Sequence, residues 1–377
     1  MNFNGEELVC DTIASIKQLE HPPTEILLVD DGSTDASLER VHSEHPDVRI
    51  VSLGQNTGVL NIVRNRGLRE ARNRYVLISD NDVSFSSDAA RHLLETLREQ
   101  PDAAACTPLV VAADDRQTLL TQGHQIHFLC WSSVMLSTTV EGARQLGVRK
   151  AMGCGIQMVD KVRAAAVGGF DEDLVLGWGD DGEFHFRLRL AGLACYRVPT
   201  AMVFHRRLRV KSRFYGQVHN RWRMMLKDYQ WRTVVVLTPA LLIFEPLLAL
   251  LLIAMGVGRD YGRALRDVAR ALPHTLRQRR RVQAMRRVAD RDILSADDLS
   301  APRRLLELKT VRAGLTALSF GLRLYWTLAR PLLNWRPAES LPALPGSGVA
   351  AGAEGLATEL ELGQSASGSN CRTRHAR

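Results

Sequence analysis

The run Tyr75-Val76-Leu77-Ile78-Ser79, closed by Asp80-Asn81-Asp82, constrains this chain more than any other stretch. Five such residues read as a buried strand, which delivers two carboxylates, one residue apart, at its C-terminal end. In an open parallel sheet, ligands bind beyond the carboxyl ends of the strands. An Asp-x-Asp there can hold a divalent cation through oxygen while the cation grips a diphosphate. The same three residues also make an ordinary turn after a strand. The rest of the chain decides between the two.

The flanking sequence alternates as such a sheet requires. A helix is predicted from Glu6 to Leu19 and a strand from Glu25 to Val29, ended by Asp30-Asp31-Gly32. Ser33, Thr34 or Asp35 is placed to cap a helix through Glu39. Arg49 to Leu53 is the next strand, Gln55-Asn56-Thr57-Gly58 a turn, and Val59 to Arg72 a helix. Beyond Asp82, a helix over Ser87–Glu99 and a strand over Ala103–Thr107 continue the alternation. Short strands separated by helices predict an α/β domain of the nucleotide-binding, Rossmann-like type. Leu109 to Val148 has no clear period.

Gly153 to Val159 reads as a glycine-led strand, its glycines serving either close approach to a ligand or a tight bend. Gly177-Trp178-Gly179-Asp180-Asp181-Gly182-Glu183 opens an amphipathic helix carrying Phe184, Phe186, Leu188 and Leu190. Acidic residues at a helix start suit its dipole. Three carboxylates in four positions exceed a cap and raise one another's pKa, which is how a general base is made. His205 closes an apolar run at Val203-Phe204, as a structural residue or a ligand.

The 377 residues carry a net charge of +8, concentrated in two blocks. Arg206 to Arg232 holds nine Lys/Arg and one Asp, and Arg259 to Arg291 holds eleven Arg and three Asp. Between them, Thr233 to Gly258 has one charged residue, Glu245, followed by helix-breaking Pro246. Its length suits a bilayer crossing, but a central charge is costly there unless it faces protein or water. A bent, re-entrant or interfacial element on an anionic membrane surface is therefore expected, with both basic blocks on lipid headgroups. A buried helical hairpin is the alternative. The Arg-rich run lacks aromatic interleaving, so nucleic acid is not expected as a partner. The six cysteines show no metal-type spacing, and Met1 to Glu20 has no apolar signal-like core. The chain divides into a domain over 1–232, the apolar segment 233–258, a basic helical region 259–335 and a disordered tail 336–377.

Together these motifs resemble glycosyltransferase family 2, inverting enzymes of the GT-A fold. Val29-Asp30-Asp31-Gly32-Ser33-Thr34-Asp35 is similar to the family's nucleotide-binding turn, and Asn56-Thr57-Gly58 with Arg64-Asn65-Arg66-Gly67 to its next block. Asp80-Asn81-Asp82 resembles its metal motif, and Val167-Gly168-Gly169-Phe170-Asp171-Glu172 with Asp180-Asp181 its acceptor-side block. A looser likeness is to a rhamnosyltransferase-like bacterial subset. The resemblance implies that Asp31 reads the donor's base, that Asp80 lies near its ribose, and that Arg64 contacts the nucleotide or is a solvated helix position. It implies Asp82 and His205 as ligands of Mg²⁺ or Mn²⁺, Asp181 as base, and Asp180 and Trp178 on the acceptor side. The donor is then a dTDP-, UDP- or GDP-sugar, and the acceptor a glycan or lipid-linked hydroxyl at the cytoplasmic face of the membrane. An impaired membrane-surface scaffold and a sugar nucleotidyltransferase are the rival readings. The chain departs from the family in one respect: Met1 stands where a buried apolar strand is usual. Loss of that strand exposes strand edges, so a start upstream is expected.

Overall fold

The computed structural model describes residues 1–132, 139–206, 214–299 and 309–335. Its N-terminal half alternates helix and strand: α1 (Val9–Lys17), β1 (Leu27–Asp30), α2 (Ser37–Glu44), β2 (Arg49–Ser52), α3 (Leu60–Glu70) and β3 (Tyr75–Ile78). A three-residue strand, β4 (Val83–Phe85), follows the Asp-Asn-Asp turn, and α4 (Ala89–Glu99) leads to β5 (Ala103–Ala112). The stretch without a clear period extends β5 and then forms β6 (Leu119–Thr121), β7 (Ile126–His127), β8 (Trp131–Ser132) and α5 (Val140–Gln145). After them come β9 (Arg149–Lys150), β10 (Gln157–Asp160), α6 (Lys161–Ala166), α7 (Gly182–Leu190), β11 (Ala194–His205) and α8 (Phe214–Asp228).

The larger sheet runs β3-β10-β5-β11-β4, with β6 on β5 and β9 on β11. It is mixed: β5 and β11 pair in parallel, while β10 and β4 run antiparallel to their neighbours. All ten residues of β5 are buried, as a strand covered on both faces must be. Pro108 and Pro199 lie in this central pair, and the register shifts between Val198 and Met202. A proline cannot donate to the ladder, so the irregularity sits where two donors are missing. β1 and β2 form a separate parallel pair.

The helix α7 is not amphipathic. Seven of its nine residues are buried, Glu183 and Arg187 among them. Their burial is made possible by a bidentate pair, Arg187 Nε to Glu183 Oε1 at 2.5 Å and Nη2 to Oε2 at 2.8 Å. Lys227 of α8 joins Glu183 at 2.5 Å and also contacts Asp171.

The apolar segment forms one continuous helix, α9 (Trp231–Ala254), with Pro239 and Pro246 inside it. The predicted break is absent because Leu237, Ala240, Leu241, Phe244, Leu248 and Leu252 make a buried stripe at helical spacing. Tertiary packing of that stripe outweighs the hydrogen bonds two prolines remove. Glu245 is not left in apolar surroundings: Arg221 Nη1 lies 2.5 Å from its Oε1, and the Tyr261 hydroxyl donates to it at 3.2 Å.

The basic blocks also differ from expectation. α10 (Gly258–Ala284) packs along α8, and Arg221, Arg223, Lys227, Arg279 and Arg286 are buried. Arg223 pairs with Asp173 at 2.9 Å and Arg286 with Asp290 at 2.6 Å, while Arg279 donates to the Leu226 carbonyl at 2.8 Å. Five of the cations expected on lipid therefore hold the protein together. Arg259, Arg263, Arg266, Arg270, Arg277, Arg280 and Arg281 remain exposed. α11 (Lys309–Ala329) packs beside α9. The tail 336–377 and the basic stretch 207–213 lie outside the described residues.

Removing one member of a buried ion pair strands the other charge. Arg221→Met should cost about 3 kcal/mol in urea denaturation, and adding Glu245→Leu should restore most of it.

Candidate active site

The first turn is built by Asp30, whose Oδ2 accepts from the N–H of Gly32 at 3.1 Å and of Ser33 at 3.0 Å. Gly32 has φ +74, and a Cβ there would lie 2.3 Å from the Gln55 backbone, so only glycine fits. Asp31, next to it, is buried and accepts from Thr57 N at 2.9 Å and Thr57 Oγ1 at 2.8 Å, both through Oδ1. The Asp31 and Asn56-Thr57-Gly58 motifs thus form one turn.

The second cluster comes from sheet register. β4 and β11 pair antiparallel with Val83 opposite His205, which sets Asp82 beside the imidazole. His205 Nε2 is 3.6 Å from Asp82 Oδ1. One ligand atom each of Asp80, Asp82 and His205 lies within 4.8 Å of the others. His205 Nδ1 is 2.7 Å from the Arg206 carbonyl. A carbonyl only accepts, so Nδ1 carries the hydrogen and Nε2 offers its lone pair, the tautomer a metal ligand needs. Burial pushes the Asp82 carboxyl up; His205 opposes this and Asp80 adds to it. A cation would relieve that repulsion. Two carboxylate oxygens and one imidazole nitrogen fit Mg²⁺ or Mn²⁺. Asp80, expected near a ribose, stands within this ligand set.

The third group surrounds Arg64, which is buried rather than solvated. Its Nη1 donates to Asp180 Oδ2 at 3.0 Å and to Asn61 Oδ1 at 2.7 Å. Asp180, Asp181 and Asp80 all favour its charge. Gly155 is the point of close approach: a Cβ there would lie 2.8 Å from Arg64 Nη2 and 3.9 Å from Asp181 Oδ2. Burial first, then Asp181, pushes Asp180 to about 6, with Arg64 opposing. Burial likewise raises Asp181, against Arg64 and the backbone N–H groups of 181 and 182, with Asp80 adding to the rise. Glu183 departs from the expected mutual elevation. Burial raises it, but Arg187 and Lys227 outweigh that and hold it below the ordinary range.

Asp181 opens into a cavity of about 140 Å³ lined by Thr121, His124, Met152, Trp178 and Met224. Trp178 is half-buried there and stacks on Trp131, with centroids 6.4 Å apart.

The three groups are one assembly. Asn2 Nδ2 donates to Asp30 Oδ1 at 3.0 Å, and Asn81 Nδ2 donates to Asn2 Oδ1 at 2.7 Å, tying the first turn to the second. Arg64 ties the second to the third. Sequence reasoning missed two side chains that complete it. Asn61 donates to the carbonyls of Asp171 and Asp180, both at 2.8 Å. Asn65 donates to the Phe170 carbonyl and accepts from Phe170 N–H, again at 2.8 Å. The signal was Asn61, Arg64 and Asn65 at i, i+3, i+4, a polar stripe on one helix face. Isothermal titration of Mn²⁺ into the chain without nucleotide should show Asp82→Asn and His205→Ala each weakening binding at least about tenfold. Asp160→Asn, at a helix cap elsewhere, should leave binding unchanged.

Residues 1–159 match the family described as glycosyl transferase family 2. The chain is 33% identical over 107 residues to the poly-beta-1,6-N-acetyl-D-glucosamine synthase of Staphylococcus epidermidis, covering 28% of this chain and 26% of that one. It is 25% identical over 169 residues to the teichuronic acid biosynthesis glycosyltransferase TuaG of Bacillus subtilis, covering 44% and 62%. It thus spans about a quarter of the staphylococcal synthase it matches. Among solved structures, S. aureus TarS 1–349 aligns with TM-score 0.46 at 17% identity, covering 87% of this chain and 89% of that one. GalNAc-T7 with UDP, GalNAc and Mn²⁺ aligns with TM-score 0.48 at 15% identity, covering 59% and 46%. The match to glycosyl transferase family 2 thus spans the alternating helices and strands from the N-terminus into β10.

Proposed function

We propose that the protein transfers a sugar from a nucleoside-diphosphate donor to a hydroxyl, with inversion at the anomeric carbon. The observation that carries this reading is the convergence of the Asp80, Asp82 and His205 ligand set and the Asp180-Asp181 pair on Arg64. Asp31, held by Thr57, contacts the base of the nucleotide. Asp80, Asp82 and His205 would hold a divalent cation, whose charge would offset that building on the departing diphosphate. Asp181 takes the proton of the acceptor hydroxyl as its oxygen bonds to the anomeric carbon. The bond to the diphosphate breaks, and the nucleoside diphosphate leaves with the electron pair. Trp178 provides an apolar face for the acceptor sugar beside the base. One base and no enzyme nucleophile suffice, which gives inversion.

The staphylococcal and Bacillus relatives are named for polysaccharide synthesis, and this supports a bacterial cell-envelope glycan, or its lipid-linked precursor, as product. Hexosyl or rhamnosyl transfer is the class of reaction. The exposed faces of α9 and α11 support a membrane surface as partner at the cytoplasmic face. Leu242 is 71% exposed and Ile243, Leu250 and Ile253 lie beside it, while α11 presents Phe320, Leu324 and Leu328. The exposed arginines of α10 supply the contact for anionic headgroups.

The base must be ionised, so turnover rises with pH through the pKa values of the Asp180-Asp181 pair. The groups facing the pair are Arg64, Asp80 and Cys154. The acid limb of kcat/KM should lie above an ordinary Asp's value of about 4. Arg64→Gln removes the opposing cation and should move that limb to higher pH, while Asp181→Asn should cost about a thousandfold in kcat. Nucleoside-diphosphate release from UDP-, dTDP- and GDP-sugars with Mn²⁺ and acceptor checks both; full turnover by Asp181→Asn would end the assignment. Flotation with vesicles containing anionic lipid should recover the intact chain, and Leu242→Glu with Leu250→Glu should release it.

A further inference from the structure

His185 is wholly buried on α7, and the proposed reaction gives it no part. It lies one turn beyond Asp181, and its backbone N–H donates to the Asp181 carbonyl at 3.4 Å. Burial, with Arg64 and Arg187 nearby, holds its pKa down to about 3, so the ring is neutral. A neutral imidazole has one donor and one acceptor nitrogen. Gly153 N–H donates to Nδ1 at 3.1 Å, which leaves Nδ1 the lone pair and gives Nε2 the hydrogen. Nε2 then donates to Gln157 Oε1 at 2.8 Å, and Gln157 Nε2 donates onward to the Cys154 carbonyl at 3.0 Å. Both ring nitrogens are spent on one short stretch of chain.

That stretch is a wall of the site. Gly153 and Cys154 line the cavity together with Asp181. Gly155 lies against Arg64, with room for no Cβ between them. A Cβ on Gly153 would lie 2.8 Å from His185 Cε1, so ring and backbone touch as well as bond. Gln157 stands opposite Ile78, the last residue of β3, two positions before Asp80. The imidazole therefore joins the helix that starts at Asp181, the glycine wall and the strand pair leading to the Asp80 turn. Phe184 and Phe186 flank it and fill apolar volume. A third phenylalanine would leave a buried N–H and a buried amide oxygen unpaired.

We propose that His185 is a positioning residue for the transfer reaction, pinning the Gly153–Gly155 wall to α7 and so keeping water from behind Asp181 and Arg64. The proposal rests on the reading of Asp181 as the base. His185 acts through the wall and touches neither sugar nor nucleotide. A wall free to move by an ångström would admit water beside Asp181, and a base hydrated on that side loses its aim at the acceptor hydroxyl.

Two substitutions separate this role from simple filling of space. His185→Phe keeps the ring volume and removes both hydrogen bonds. His185→Asn loses volume but keeps an acceptor for the Gly153 N–H. Cys154 is half-buried in the wall, whereas Cys106 and Cys195 are buried and report general opening. Iodoacetamide alkylation of Cys154, read by peptide mass spectrometry, should speed up at least about tenfold in His185→Phe. In His185→Asn it should stay within about threefold of the parent chain, with Cys106 and Cys195 unlabelled throughout. Gln157→Leu cuts the same link from the other side and should give the same increase, which covers a His185→Phe chain that does not fold. In nucleoside-diphosphate release from UDP-, dTDP- and GDP-sugars, His185→Phe should lose at least about tenfold in kcat with donor KM within about twofold, and His185→Asn should recover most of the loss. Alkylation uses no donor or acceptor, so failure of the transfer reading shows in turnover alone. Equal Cys154 alkylation in every form would overturn the proposal. So would His185→Phe matching the parent while His185→Asn opens, since the ring would then be only a filler of space.

Discussion

The site exists because one guanidinium is buried among carboxylates that would otherwise repel one another. Asp80 lies far along the chain from the adjacent Asp180 and Asp181, and each of the three favours the charge on Arg64. Without a cation, burying two adjacent carboxylates beside a third would drive protons onto them. Arg64 opposes the rise that burial imposes on both Asp180 and Asp181. Arg64 in turn is held by Asn61 and lies 5.4 Å from the centroid of Phe170. The helix that carries it therefore fixes the loop leading to Asp181.

A second buried polar network lies behind the first. Glu183, Arg187, Lys227 and Asp171 pair within a region whose neighbours are Phe170, Phe184 and Leu188. Such networks add little net stability, since desolvation offsets the attraction. What this one supplies is direction: α8 can dock on α7 only where Lys227 finds both carboxylates. The apolar core alone would permit sliding, and the ion pairs remove that freedom.

How much of this was legible beforehand follows from the kind of signal each element carries. The turns at Asp30-Asp31-Gly32 and Asp80-Asn81-Asp82 were readable because turn chemistry and strand patterning are local. The pairing of β4 with β11 was not, since three residues carry no period and their partner lies more than a hundred positions away. Lys227 and Arg221 were misread for a different reason. A charged side chain on a helix is ordinarily solvated, and only the tertiary partner shows otherwise. The basic blocks were for this reason assigned wholly to lipid, whereas α8 and α10 use several of those cations on each other and on the core. Pro246 was read as a break on local grounds, and a buried stripe overrode it.

The contact between Arg221 and Glu245 has a consequence for geometry at longer range. The same guanidinium lies 5.1 Å from the Phe244 ring centroid and 6.0 Å from that of Trp131, which stacks on Trp178 beside Asp181. The apolar helix is thereby keyed to the wall of the cavity by a chain of rigid planar groups. It cannot roll about its own axis without carrying those rings along. For any surface on which that helix rests, the domain above it rides at one attitude, with the mouth at Asp181 at a set height.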